Sequence, residues 1–215
     1  MSELETESKS DEAGESSYIL REINYGGTET QQAVMRCGAM IYAELGCNFG
    51  HTAAKVAKIL PPNSEMHLFD YDDYIEKTRE TLAGAGRPDI SFFFYSNSSK
   101  ERDSYCWSLI NLLARAVRIF DYVYIDGSHD LTVDGFSFFL ADKLLKLNGH
   151  IEFDDYDWTF AASPTIRPEL HPPTAQWYTA EQLQTPQVKL IVESLVRTDD
   201  RYVEVIRNRL FKKIR

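Results

Sequence analysis

Residues Met40 to Thr52 read M-I-Y-A-E-L-G-C-N-F-G-H-T. An apolar run of strand length, Met40–Leu45, enters a tight turn bracketed by Gly46 and Gly50, with Cys47 and Asn48 inside it. The helical pattern His51–Leu60 follows at once and is stopped by Pro61-Pro62. A buried strand that feeds a helix through a glycine turn gathers unpaired backbone N–H groups and the positive helix end in one crevice. Such a crevice holds an anionic or zwitterionic small molecule. Glu44 adds a carboxylate at the end of the strand. The spacing is not the G-x-G-x-x-G of dinucleotide-binding sheets, which disfavours an NAD-linked oxidoreductase.

Outward from this stretch, strands and helices alternate. Met66–Asp70, Ile90–Tyr95, Asp121–Ile125 and His150–Phe153 are apolar runs of strand length. Helical patterns span Thr28–Cys37, Tyr74–Ala85, Ser104–Ile119, Leu131–Leu147 and Pro186–Thr198. The spacing predicts a buried side of Trp107, Ile110, Leu113 and Val117 in one helix. In the next it predicts Phe136, Phe139, Leu140 and Leu144, with Gly149 just past the end. Tyr202–Ile206 and Leu210–Ile214 form a closing hairpin. Alternation of this kind means a Rossmann-like α/β fold, doubly wound and mostly parallel. One antiparallel edge strand and helices on both faces are expected, and the family resemblance given below implies seven strands in the order 3-2-1-4-5-7-6.

The 215 residues suffice for one such domain, over 17–215. Residues 1–16 are acidic and aperiodic and are expected to be a disordered tail. Net charge is −10, half of it in the first 15 residues. An acidic body speaks against nucleic acid or an anionic membrane as partner, and no apolar stretch reaches a membrane span. Three cysteines at unrelated spacing make neither a disulfide framework nor a zinc site, and no secretory signal is visible. The expectation is a cytoplasmic, reduced protein acting on a small molecule, with a homodimer left open.

Ligands of an open α/β sheet bind outside the carboxyl ends of its strands. Here those ends carry Glu44, Asp70, Asn97, Asp126 and Asp154-Asp155. One such residue is an ordinary turn former; five at one rim are a site. Asp70 is placed to accept ribose hydroxyls, with Asp72 as its substitute, and Asn97-Ser98 to meet an adenine edge. Asp126, Asp154 and Asp155 end adjacent strands about 4.8 Å apart, so they can share a hard cation, Mg²⁺ before Mn²⁺ or Ca²⁺. His129, three residues after Asp126, is the general-base candidate, with Asp130 the cap of the next helix. The proline- and aromatic-rich stretch 156–186 is the expected substrate lid.

The run Y-A-E-L-G-C-N-F-G-H-T…M-H-L-F-D resembles the opening of the class I S-adenosylmethionine-dependent methyltransferases. The runs Y-I-D-G-S-H-D and I-E-F-D-D-Y resemble the metal-dependent O-methyltransferases, closest to the macrocin-type and cephalosporin-hydroxylase-like group. The resemblance implies a cofactor turn shaped by Glu44, Gly46, Cys47, Asn48 and Gly50, with Thr52 at the methionine carboxylate. It implies Asp70 on the ribose, Asn97 and Ser98 at the adenine, and Asp126 at both cofactor and metal. Asp154 and Asp155 match the remaining metal ligands and His129 the base. Asn48 stands where many relatives have glycine, and Asn97 where aspartate is usual. The expected activity is Mg²⁺-assisted methylation of a hydroxyl on a sugar, polyol or catechol-like molecule. The alternatives are a metal-independent N- or O-methyltransferase and a silent binding module.

Overall fold

The computed structural model describes residues 29–100 and 102–215. The acidic tail and Thr28, where the first helical pattern begins, lie outside the described residues. Seven strands form one sheet: β1 (Ile41–Leu45), β2 (Glu65–Tyr71), β3 (Ser91–Asn97), β4 (Phe120–Ile125), β5 (Leu145–Phe153), β6 (Tyr202–Ile206) and β7 (Leu210–Lys213). Their order is β3-β2-β1-β4-β5-β7-β6. The first five run parallel, and β7 runs against both β5 and β6. The sheet reverses between β1 and β4, whose carboxyl ends therefore flank the crevice.

α1 (Glu29–Cys37) precedes the sheet, and four helices supply the crossovers between the parallel strands: α2 (His51–Ile59), α3 (Asp72–Ala83), α4 (Tyr105–Leu113) and α5 (Leu131–Leu144). One apolar layer gathers Val34, Tyr42, Val56, Met66 and Leu68, and a second gathers Phe69, Leu109, Phe120, Phe138 and Ile151. No helix among the described residues is long and apolar enough to cross a membrane.

Two helices differ from their sequence reading. α4 stops at Leu113 rather than Ile119, and it buries Tyr105, Cys106 and Leu109. Trp107, Ile110 and Val117, expected inside, are exposed. α5 stops at Leu144 and passes straight into β5, with no linker at Gly149. It buries Phe138, Leu140, Ala141 and Leu144 and leaves Phe136 and Phe139 exposed. In both cases two apolar stripes compete for the core. The stripe that wins carries the small or polar members Cys106, Asp134 and Ser137, which let the helices approach and hydrogen-bond: Cys106 Sγ lies 3.1 Å from Ser137 Oγ.

Residues 156–186 are more ordered than their composition suggests. They hold a 3₁₀ turn (Phe160–Ala162) and the short helices α6 (Thr174–Trp177) and α7 (Ala180–Gln184). Buried Thr174 donates to the Ile166 carbonyl at 2.7 Å, and Ser163 Oγ accepts from the Ile166 N–H at 3.1 Å. The last helix, α8 (Gln187–Ile191), continues as a π-helical turn over Val192–Val196.

Candidate active site

The glycine turn is shaped by close approach. Gly46 has φ 90°, and a Cβ there would stand 2.1 Å from the Asp126 carbonyl oxygen. Only glycine lets β1 leave the sheet against the exit of β4. Gly50 (φ 73°) is pressed in the same way against Thr78. Asn48 between them is also left-handed, at φ 51°. Asparagine is among the few residues that tolerate this conformation, so it replaces the usual glycine without loss of the turn.

Asp70 is tied to this turn. Its Oδ2 accepts the N–H groups of Cys47 and Asn48, each at 2.7 Å, and its Oδ1 accepts from Tyr71 N–H at 2.7 Å. Burial leaves its carboxyl raised, although these three bonds pull it part of the way back down. A carboxylate offers about four lone-pair sites, so a ribose hydroxyl has room beside the N–H groups already bound. Glu44 is fully buried and accepts from Tyr42 Oη at 2.8 Å. Burial lifts its carboxyl well above the usual range, and Asp126 and Asp70 add to that. The Cys47 thiol lies 3.6 Å from the carbonyls of Glu44 and Phe69, and burial pushes it up, so it is unreactive. Thr52, in the first turn of α2, lines a polar cavity of about 210 Å³ with Thr30, Lys55, Tyr124, Asp154 and Arg209.

Asn97 closes β3. It is 4% exposed, and neither its amide nitrogen nor its amide oxygen has a partner among the described residues. A buried amide left in this state is costly unless a ligand completes it. Ser98, beside it, donates its N–H and hydroxyl to Asp103 Oδ2, at 2.7 and 2.8 Å, which leaves the hydroxyl oxygen able to accept.

At the ends of β4 and β5 two of the three aspartates expected to hold a metal gather on His129, and Asp154 stands beside them, linked to Asp126 through the Tyr124 hydroxyl. Asp126, Asp155 and His129 come together, with one donor atom from each inside 4.8 Å. His129 Nε2 lies 2.7 Å from Asp155 Oδ2 and 3.7 Å from Asp126 Oδ1. Its Nδ1 lies 2.9 Å from the Gly127 carbonyl, which only accepts, so Nδ1 carries a proton and Nε2 faces the carboxylates. Burial opposes the imidazolium, yet Asp155, Asp126 and Asp134 outweigh it and raise His129 to about 9. Burial, then nearby Asp154, lifts Asp126 to about 8, while the His129 bond holds Asp155 below the usual carboxylate range.

Asp154 turns instead to Arg209, in the turn between β6 and β7. Arg209 Nη1 lies 3.0 Å from Asp154 Oδ1 and 2.6 Å from Glu29 Oε2, and Nε lies 2.5 Å from Glu152 Oε1. Glu152 is wholly buried and also accepts from Tyr122 Oη at 2.5 Å and Thr30 Oγ1 at 2.9 Å. Tyr124 spans the two halves of the rim, with its hydroxyl 2.5 Å from Asp154 and 3.0 Å from Asp126. The sequence reading missed Tyr124 and Arg209. Tyr124 lies two residues before Asp126, on the same face of β4, and the period-two rule could have found it. Nothing local marks Arg209, which is 55 residues from Asp154.

The expected lid forms one wall of this rim. Trp158 packs on the His129 ring with centroids 4.8 Å apart, Phe160 lies against Trp158, and Tyr178 stacks on Phe160 at 4.2 Å.

A glycine-turn crevice and an acid–imidazole rim on a sheet of this order define a class I methyltransferase architecture. A family model described as "Methyltransferase domain" matches residues 43–156, from β1 to just past Asp155. The chain belongs to this methyltransferase-domain family. Among solved structures it is similar to the O-methyltransferase of Bacillus cereus in complex with S-adenosylhomocysteine. That likeness has a TM-score of 0.60 at 15% identity and covers 93% of this chain and 86% of that one. A provisionally named O-methyltransferase of Klebsiella pneumoniae gives 0.58 at 16% identity over 86% and 73% of the two chains. A methyltransferase of Geobacter sulfurreducens gives 0.53 at 12%, over 86% and 76%. These three share the fold. No curated protein sequence matches the chain.

Proposed function

We propose that this methyltransferase is an O-methyltransferase that moves the methyl group of S-adenosylmethionine to a hydroxyl of a sugar, polyol or catechol-like small molecule. One observation carries the reading: the glycine turn and the His129–Asp155–Asp126 cluster share a wall, because Gly46 abuts the Asp126 carbonyl. A cofactor in the turn and a base on the rim are thereby brought together.

The residues suit the cofactor. Asp70 keeps an accepting site for the ribose, and the orphaned Asn97 amide offers both a donor and an acceptor to adenine. Thr52, lining the polar cavity, serves the methionine end, and Glu44 backs the turn from within the core. S-adenosylmethionine, when bound, supplies an electrophilic methyl on sulfur. The chain then positions the acceptor oxygen in line and receives its proton. Nε2 of the neutral imidazole is the receiving atom, since Nδ1–H is held by Gly127; with His129 raised to about 9, this form gains population as pH rises toward that value. Asp155 stabilises the imidazolium that forms. Trp158 shields this pair from one side.

A divalent cation, Mg²⁺ by preference, would be held by Asp126 and Asp155, with Asp154 joining them, and would lower the pKa of the acceptor hydroxyl. Arg209 on Asp154 favours a second reading, a metal-independent enzyme in which His129 and Asp155 alone handle the proton. The test is transfer of labelled methyl to a panel of sugars, polyols and catechols, with Mg²⁺ and with EDTA. Transfer that EDTA abolishes supports the metal-assisted reading. Transfer that EDTA leaves intact supports the second, and methylation confined to amines overturns the assignment to oxygen.

A further inference from the structure

The loop from Asp126 to Asp130 is held from beneath by a group that no step above uses. Asp134, in the first turns of α5, is 1% exposed. A buried carboxylate at a helix position that packing alone would fill with a small apolar residue needs a reason. Its bonds supply one. Oδ2 accepts the His129 backbone N–H at 2.7 Å. Oδ1 accepts from Ser128 Oγ at 3.3 Å and from the Tyr105 hydroxyl of α4. Tyr105 in turn accepts the Ser128 N–H at 3.2 Å, and its hydroxyl stands where a Cβ on Gly127 would be, 2.1 Å away. Gly127, Ser128 and His129 are thus gripped in sequence by one carboxylate and one phenol.

This grip acts on strained backbone. His129 has φ 57°, a conformation that a non-glycine residue keeps only when its surroundings impose it. From that conformation the ring folds back, Nδ1 meets the Gly127 carbonyl, and Nε2 is left facing Asp155. Relaxed to ordinary dihedrals, the same residue would swing the ring off the rim.

We propose that Asp134 and Tyr105 are the positioning residues of this site. They impose the left-handed turn at His129 and so aim Nε2 at Asp155 and Asp126. The catalytic consequence rests on the methyltransferase reading above; the positioning itself does not. It is therefore tested on the ring as well as on turnover. In isotope-labelled full-length protein, the wild type is expected to show a nuclear Overhauser contact between the His129 ring and the Trp158 indole, and a slowly exchanging His129 amide. Asp134→Ala is expected to lose the contact and to exchange that amide at least a hundredfold faster. Asp134→Asn, which keeps an accepting oxygen, should retain both. Tyr105→Phe, which deletes one hydroxyl, should loosen the Ser128 and His129 amides if Asp134→Ala does not fold.

In each folded variant the affinity for S-adenosylhomocysteine should stay within twofold of wild type. On an acceptor found in the panel, Asp134→Ala should lose at least tenfold in kcat with KM unchanged. An Asp134→Ala protein, or failing that a Tyr105→Phe protein, that keeps the ring contact and the slow amide overturns the proposal, whatever its thermal stability. If wild type binds no S-adenosylhomocysteine, the methyltransferase reading falls, while the ring contact still decides the positioning.

Discussion

His129 and Asp155 lie 26 residues apart in the chain, yet Nε2 and Oδ2 meet at 2.7 Å because both residues are left-handed, at φ 57° and 53°. Each sits just beyond the carboxyl end of a parallel strand. The left-handed turn folds each side chain back over the rim rather than letting it run on with the chain. If this pair takes the acceptor proton, His129→Gln should lower kcat by roughly a hundred- to ten-thousand-fold. S-adenosylhomocysteine binding, measured by calorimetry, should remain as in wild type. A parallel loss of affinity would assign His129 to the cofactor instead.

The same cluster sets a pH dependence. Asp126 is raised to about 8 and His129 to about 9, so over neutral to alkaline pH the folded state binds more protons than the unfolded one. Stability then falls as pH rises. The Asp126 contribution is lost from the ordinary aspartate range up to about 8, and the His129 contribution between about 6.5 and 9. Thermal melts of the metal-free protein from pH 6 to 9 should show a falling Tm, and Asp126→Asn should flatten the slope. A Tm that rises over this range would contradict the assignment.

Gly46 has no tolerant substitute. Gly46→Ala places a methyl group against the Asp126 carbonyl at a φ that alanine avoids. The expected cost is roughly 2–5 kcal/mol, the sum of the left-handed penalty and overpacking. Denaturant melts should show this loss. Equal stability of the variant would mean that the turn is looser than described.

Arg209 is the counterion of a carboxylate that has no access to water. Arg209→Met strands the Glu152 charge, and breaking a buried pair in this way costs about 3–5 kcal/mol. Glu152→Gln in that background should restore part of the loss, as a double-mutant cycle would record. Independent, additive effects would show that the pair is not coupled.

Much of this was legible in the sequence because the deciding features are local. A glycine turn between a strand and a helix needs neighbouring residues only, and Gly46, Gly50 and the helix cap Asp130 sit where their types demand. The parallel sheet follows from alternation and the five acid or amide strand ends are read directly off the sequence, whereas the strand order came with the family resemblance. What escaped depends on partners distant in sequence. The buried sides of α4 and α5 were misassigned because Trp107 and Phe139 carry the helical period as well as Leu109 and Phe138 do. Polar contacts between the two helices, unseen in either pattern alone, choose between the stripes. The Arg209 contact of Asp154 escaped as well, because a hairpin at the far end of the chain delivers a guanidinium to that rim.

Asn97 bears most directly on what the crevice holds, because its buried amide has neither donor nor acceptor satisfied among the described residues. Asn97→Leu should stabilise the ligand-free protein by about 1 kcal/mol, by removing an unsatisfied polar group, and weaken cofactor binding at the same time. The decisive experiment is calorimetric titration of S-adenosylhomocysteine into wild type and Asn97→Leu. Micromolar binding by wild type, weakened at least tenfold in the more stable variant, is the predicted result. No heat of binding to the wild-type protein would contradict the assignment of the glycine turn as a cofactor site.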